Sequence, residues 1–336
     1  MSINYFYLVS LIINLIIYIN HSNLYKIYIP YDKPDNLRKF HKNPVLISGG
    51  LIIFLNYIIF YLSSLISNDL FFLKLFNSFF SHTSFFILIT CSYFIGLYDD
   101  KKDINPYFKL FILSLIIIFL LITNKLFIIT EIKLSFLDTT INLSFFSIPF
   151  TLLCFLLFIN AVNMFDGINL QSSTYLLTFL IYFALKGIFN PLIILIIIPL
   201  LLFMFLNYQN KSFLGDGGCF ILSIFIGCIC VASYNLNYIK FSDEIFLLMI
   251  LPGLDMLRLF FIRISNKKNP LKPDRNHIHH ILEKNIGYKK TIFLIILMSY
   301  SILVLIMLNI SNIIILLMLL TIYFVILFKF SKIKSN

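Results

Sequence analysis

The chain has 336 residues, 60% of them hydrophobic and 12% charged, with a mean hydropathy of +0.95. Such values exclude a soluble globular protein, and the length holds many apolar runs beyond the roughly 17–20 residues that a bilayer span requires. A formal charge of +11 would suit a nucleic acid, but its placement along the chain argues against that partner.

In chain order, the apolar runs predict helices near 4–20, 45–66, 83–98, 108–122, 146–163, 171–186, 191–206, 218–236, 244–262, 291–308 and 311–328. The first run, Tyr5 to Ile19, has no basic residue ahead of it and no small-residue cleavage site behind it. It reads as a retained span rather than a signal peptide. If the loop after it is cytoplasmic and the spans alternate, only Lys74, Lys125, Lys133, Lys186 and Lys240 lie outside, out of 26 Lys and Arg. That bias places the N-terminus outside and the C-terminus in the cytoplasm. The positive charge therefore encodes topology and attraction to anionic head groups. Cys91, Cys154, Cys219, Cys228 and Cys230 lie in or beside apolar runs without CxxC spacing, as packing residues would.

The loop after the first span runs from Asp35 through Arg38, Lys39 and Lys42 to Pro44, and Gly49-Gly50 opens the second span. It offers cations and backbone N–H groups to an anion, although a positive-inside loop with a helix-packing glycine pair is the simpler reading. The third span ends at Asp99-Asp100-Lys101-Lys102-Asp103. One further helical turn would put Asp99 and Asp103 on one face, with Asp100 pairing with Asp103 at i, i+3. Carboxylates this close repel unless a cation such as Mg²⁺ shares them. A solvated, mixed-charge cap is the alternative. Lys109 follows at the mouth of the fourth span, placed either for a lipid phosphate or as a snorkelling side chain. The segment 123–145 alternates in character and predicts a small hairpin.

The fifth span ends Asn160-Ala161-Val162-Asn163-Met164-Phe165-Asp166-Gly167-Ile168-Asn169. Amides and a carboxylate gathered on one face at a membrane helix end are costly and point to function. Beyond the seventh span, Asn207 to Gly218 includes Lys211 and the turn Gly215-Asp216-Gly217-Gly218, where one carboxylate among glycines suits a metal ligand or a plain turn. The last inner segment, Arg263 to Lys290, carries Pro273-Asp274-Arg275-Asn276-His277-Ile278-His279-His280. Without a nearby cysteine, this cluster fits a phosphate or sugar clamp better than a zinc site.

From about Asp35 to His280 the sequence resembles the polyprenyl-phosphate N-acetylhexosamine-1-phosphate transferases, which include the initiating enzymes of O-antigen and wall teichoic acid synthesis. The family's DDxxD corresponds to Asp99–Asp103, its NxxNxxDG to Asn160–Gly167 and its GDxG to Gly215–Gly218. The RxHxHH form at Arg275–His280 is similar to the aminosugar branch. Departures are Asn169 where Asp is common, Leu170 for Gly, Asn210 for Pro and Cys219 for Ser.

The apolar runs predict an all-α polytopic membrane protein of about eleven helices, forming a single domain over 1–336. Its active-site loops would lie near 21–44, 99–108, 164–171, 207–217 and 263–290, facing the cytoplasm of a bacterial inner membrane. The resemblance implies transfer of an aminosugar 1-phosphate from a UDP-sugar to polyprenyl phosphate, with Mg²⁺ or Mn²⁺ as cofactor and UMP released. Asp99, Asp100 and Asp103 would be catalytic, and Asp216, Asn163 and Asp166 would hold the metal. Lys109, Asn160, Asn163, Asp166, Asn169, Lys211, Arg275, His277, His279 and His280 would contact substrate. The bilayer and both substrates are the expected partners, nucleic acid is not, and a homodimer is left open. A membrane Mg-dependent prenyltransferase would need a second DxxxD-like motif, which is missing from the sequence. An ion-coupled transporter would need mid-span ionisable groups, for which Asp255 and Arg258 are the main candidates.

Overall fold

Each predicted span is occupied by a helix in the computed structural model, which describes residues 3–27, 29–34, 43–66, 74–76, 78–188, 191–270 and 274–331. The helices are α1 (Ile3–Ile19), α2 (Gly49–Ile66), α3 (Phe79–Lys102), α4 (Pro106–Thr123), α5 (Ser147–Phe165) and α6 (Gln171–Phe183). They continue with α7 (Pro191–Tyr208), α8 (Gly215–Asn235), α9 (Ser242–Ser265), the short α10 (Ile278–Ile286), α11 (Tyr288–Met307) and α12 (Asn312–Ser331). Among the described residues, eight helices are long and apolar enough to cross a membrane: α2, α3, α4, α5, α8, α9, α11 and α12. The molecule is thus mostly helical, as a polytopic membrane protein must be when lipid cannot satisfy backbone polar groups.

Helix α8 is the axis of the bundle. It is buried along its membrane window and packs against α3, α2 and α5. Small residues permit that approach. A Cβ on Gly96 would lie 2.4 Å from the Gly217 nitrogen, and one on Gly50 would lie 2.7 Å from the Gly218 nitrogen. The Gly49-Gly50 pair therefore serves helix packing. The basic stretch 35–42 that precedes it lies outside the described residues.

Local chemistry sets several boundaries differently from the hydropathy reading. Helix α2 starts at Gly49 rather than 45, because Val45–Leu46 pairs antiparallel with Tyr31–Asp32. Leu46 also bridges to Ser212, so this short ladder ties the start of α2 to the turn before α8. Helix α3 runs on to Lys102 and ends where Asp103 turns left-handed (φ 47°), its N–H donating to the Asp99 carbonyl. Asp103 is consequently off the helix, exposed, and not on a shared face with Asp99. Helix α4 starts immediately after, with Pro106 in its first turn and the Asn105 side chain accepting the Tyr107 N–H at 2.9 Å.

The expected hairpin is present as Glu131–Ile132 paired with Ile141–Asn142. It packs at the end of the bundle remote from the motif residues, where Lys133 N–H donates to Tyr234 and Ser135 N–H to Asp243. Helix α1 is fastened to α2 by a buried polar set in which Ser10 and Asn14 donate to the Asn56 carbonyl oxygen at 2.6 and 3.1 Å. Pairing removes most of the cost of such amides in an apolar setting.

Candidate active site

The C-terminal ends of α3, α5 and α9 meet the N-terminal ends of α4, α6, α8 and α10 at one end of the bundle. Two side-chain groups form there.

The first is a carboxylate group. Lys109 from α4 donates to Asp99 at 2.5 Å and to Asp216 at 2.8 Å, joining α3 to α8 through its ammonium. Its Nζ also lies 5.5 Å from the centre of the Phe220 ring. The other Asp99 oxygen accepts the Ile104 N–H at 2.6 Å, so both oxygens are held. Asp100 reaches across to the start of α8, accepting the N–H of Asp216 at 3.0 Å and that of Gly217 at 3.5 Å. It thereby does what a capping side chain normally does from within its own helix. Asp166 follows directly after α5. Its carboxylate accepts from the Ser172 hydroxyl and from the Cys219 thiol, the latter at 3.8 Å. Burial pushes the Asp166 carboxyl up to about 6, although both donors favour its charged form.

Asp99, Asp100 and Asp216 are gathered with one ammonium, which touches Asp99 and Asp216 but not Asp100. When ionised they carry an excess negative charge that a hard dication would offset, and their oxygens are the donors such an ion prefers. The donor set therefore fits a divalent cation.

The second group is built on Asp255, which the hydropathy reading left as a mid-span exception. It is 2% exposed. One carboxylate oxygen accepts from Arg258 at 2.7 Å, Tyr323 at 3.0 Å and the Ile278 N–H at 3.1 Å; the other faces His277 Nδ1 at 2.8 Å. Arg263 donates to Asp274 at 2.8 Å and to the Pro270 carbonyl at 2.7 Å, fastening the same loop to α9. The Arg263 guanidinium outweighs burial and holds the Asp274 carboxyl below its usual range. His279 packs flat against His277, with ring centres 5.3 Å apart, and its Nδ1 meets the Gln171 amide at 3.1 Å. Burial is the main cause that holds His279 well below the ordinary imidazole value. Asp255, His277 and His279 are close enough for one metal ion. The Arg258 guanidinium on the same carboxylate opposes a dication there, and the Asp99–Asp100–Asp216 group is the better fit.

Of the residues singled out in the sequence, the fold thus gathers Asp99, Asp100, Lys109 and Asp216, and beside them Asp166. Asn163 caps that loop through its carbonyl, which accepts the Asp166 N–H at 3.2 Å. Asn169 and Asn210, both departures from the family pattern, pair with each other at 2.6 Å. Asn207 joins them and also receives the Leu170 N–H at 2.6 Å, where Leu170 turns left-handed at φ 67°. Arg275 Nη2 is 3.5 Å from His280 Nδ1. Three residues are not brought in. Asp103 is exposed beyond the helix end, Asn160 turns its amide to the Leu156 carbonyl at 2.7 Å, and Lys211 is exposed in the turn after α7.

Sequence reasoning missed Gln171, Arg263 and Tyr323, whose partners lie far along the chain or outside any motif, and Ser172, which lies past the end of the motif whose Asp166 it contacts. A large apolar cavity of about 390 Å³, lined by Phe136, Phe150, Phe155 and Phe246, lies at the opposite end by the hairpin, away from this chemistry.

Fold and site together define a polytopic helical membrane protein with a carboxylate group and a histidine loop at one end. Residues 82–234 match the family model described as glycosyl transferase family 4. An undecaprenyl-phosphate alpha-N-acetylglucosaminyl 1-phosphate transferase of Thermotoga maritima is 28% identical over 276 residues, covering 81% of this chain and 78% of the relative. A probable undecaprenyl-phosphate N-acetylglucosaminyl 1-phosphate transferase of Bacillus subtilis is 26% identical, covering 80% of this chain and 74% of the relative. The Escherichia coli K12 protein of the former name is 24% identical over 287 residues, covering 81% and 74%. These matches support the polyprenyl-phosphate N-acetylhexosamine-1-phosphate transferase family for this chain.

Proposed function

We propose that the chain transfers an N-acetylaminosugar 1-phosphate from a UDP-sugar to a membrane polyprenyl phosphate, yielding a polyprenyl-diphospho-sugar and UMP. The observation that carries this reading is that Lys109 joins carboxylates of two separate motifs, Asp99 and Asp216, at the same end of the bundle where the histidine loop packs against Gly167 of a third and the Gln171 that follows it. The names of the relatives agree with it. The motif end faces the cytoplasm, a reading supported by the distribution of Lys and Arg over eleven alternating spans. Asp255 and Arg258, on α9, are bonded to the histidine loop at that end, which favours transfer over ion coupling.

Both substrates are anionic, so their approach requires positive charge at the reacting phosphates. Mg²⁺ or Mn²⁺, held by Asp216 with Asp166 and Asn163 alongside, would supply a Lewis acid and offset that charge. Asp99 and Asp100, gathered with Asp216 by Lys109 and by the start of α8, would share that cation and lie beside the attacking phosphate. A phosphate monoester is mostly dianionic at neutral pH, so the attacking oxygen needs no full general base. Arg275 holds the diphosphate by paired hydrogen bonds, and the histidines contact the sugar, whose hydroxyl and amide groups can donate to a ring nitrogen.

The test incubates membranes containing the protein with radiolabelled UDP-GlcNAc, polyprenyl phosphate and Mg²⁺, with Asp216→Ala as control. A lipid-linked product from the native chain alone is expected. Failure with every UDP-aminosugar tried would overturn the reading.

A further inference from the structure

We propose that Asp255 is a positioning residue that fixes the proton of His277 on Nδ1 and so presents Nε2 to the substrate. The inference rests on the transferase reading only for the substrate that Nε2 meets.

The geometry is asymmetric. Three donors, Arg258, Tyr323 and the Ile278 N–H, converge on one oxygen of the Asp255 carboxylate. The other oxygen is left to His277 Nδ1 at 2.8 Å. A carboxylate only accepts, so Nδ1 must carry the proton. Nε2 then has no partner among the described residues and is the ring atom available to a ligand. The Ile278 N–H bond fixes the backbone at the start of α10, which fixes the direction of the ring. The clamp ties together α9, α10 and α12, so the imidazole is oriented by three helices rather than by its own loop. Such outer partners set both tautomer and aim of a histidine.

The same asymmetry predicts what Asp255→Asn would do. The amide oxygen is drawn to the position where three donors converge, which leaves the NH₂ facing His277. Nδ1 must then accept, and the proton moves to Nε2. The ring would keep its place but present a donor where the native protein presents a lone pair.

The experiment is solid-state ¹⁵N NMR of the full chain in bilayers with labelled histidine, with the His277 signals assigned by their loss in His277→Gln. The native protein is expected to show Nδ1 protonated, and Asp255→Asn to show the proton on Nε2. Turnover is expected to fall about 100-fold in Asp255→Asn, with KM for the UDP-sugar little changed. A native neutral His277 protonated on Nε2 overturns the proposal, whether or not the variant folds. Unchanged tautomer and unchanged turnover in a folded Asp255→Asn also overturn it. A native protein with no transferase activity would overturn the transferase reading and leave the tautomer result to decide the role of Asp255.

Discussion

Asp100, on the last turn of α3, accepts the backbone N–H of Asp216 at 3.0 Å, so one acidic motif caps the helix that presents the other. A carboxylate at a helix N-terminus is favoured by the free N–H groups and the helix dipole. Here the contact also sets the distance between the two motifs. Asp100→Ala should lower thermal stability by the loss of a cap, about 0.5–2 kcal/mol, and abolish product formation. Asp100→Asn keeps an acceptor oxygen and should retain most of the stability while losing activity. Thermal unfolding and product formation, measured side by side, check the split.

Lys109 bridges Asp99 and Asp216. Lys109→Met would leave these carboxylates without a cation, and it should destabilise the protein most in chelator. Added Mg²⁺ should recover more of that loss than it adds to the native protein. Equal Mg²⁺ responses in thermal unfolding would contradict a cation site at this group.

Gly96 lies against Gly217, where a Cβ would come within 2.4 Å of a backbone nitrogen. Gly96→Ala must push α3 away from α8 and displace Asp99 and Asp100 with it. A loss of about 1–3 kcal/mol is expected for overpacking of this kind, together with lost activity. Gly253 has nothing within 4 Å of a Cβ, and Gly253→Ala should be well tolerated by comparison.

Asp166 is raised by burial to about 6, against an ordinary value of 3.8. A carboxyl raised on folding contributes stability below its unfolded value and loses it as pH rises through about 6. The protein without a cation should therefore gain stability from this group on going from pH 7.5 to pH 5. Activity should do the reverse, because the ionised form is the one that holds a cation or accepts hydrogen bonds from a nucleotide. With a bound cation favouring the ionised form, the acidic limb of the pH–rate profile should fall below about 6. Replacing Ser172 by Ala removes a donor to the carboxylate and should move that limb upward, whereas an unmoved limb would assign it to another group.

Much of the candidate site was legible because it is written in short motifs at apolar boundaries. The end of α3, Asp166 after α5, the Gly215–Gly218 turn and the histidine loop all announce themselves by polar residues where hydropathy stops. Alternation of spans then places them on one side, as the bundle does. The errors arose where a local rule met a local competitor. Asp103 looked like a helix-face partner of Asp99, but the chain turns left-handed there and leaves it exposed. Lys109 reads as an interfacial lysine until its ammonium is found between carboxylates 10 and 107 residues away in sequence.

The sequence by itself determined where the helices lie, since bilayer thickness demands apolar runs of a set length and any helix satisfies its own backbone. It also determined which residues lie at the functional end. Only the tertiary structure decided their work. Asp100 became a cap for a distant helix, Asn169 and Asn210 became each other's partner, and Asp255 became the clamp on His277. Hydrogen bonds depend on direction and a few tenths of an ångström, and those relations between remote helices are set by packing around α8 rather than by any local pattern of residues.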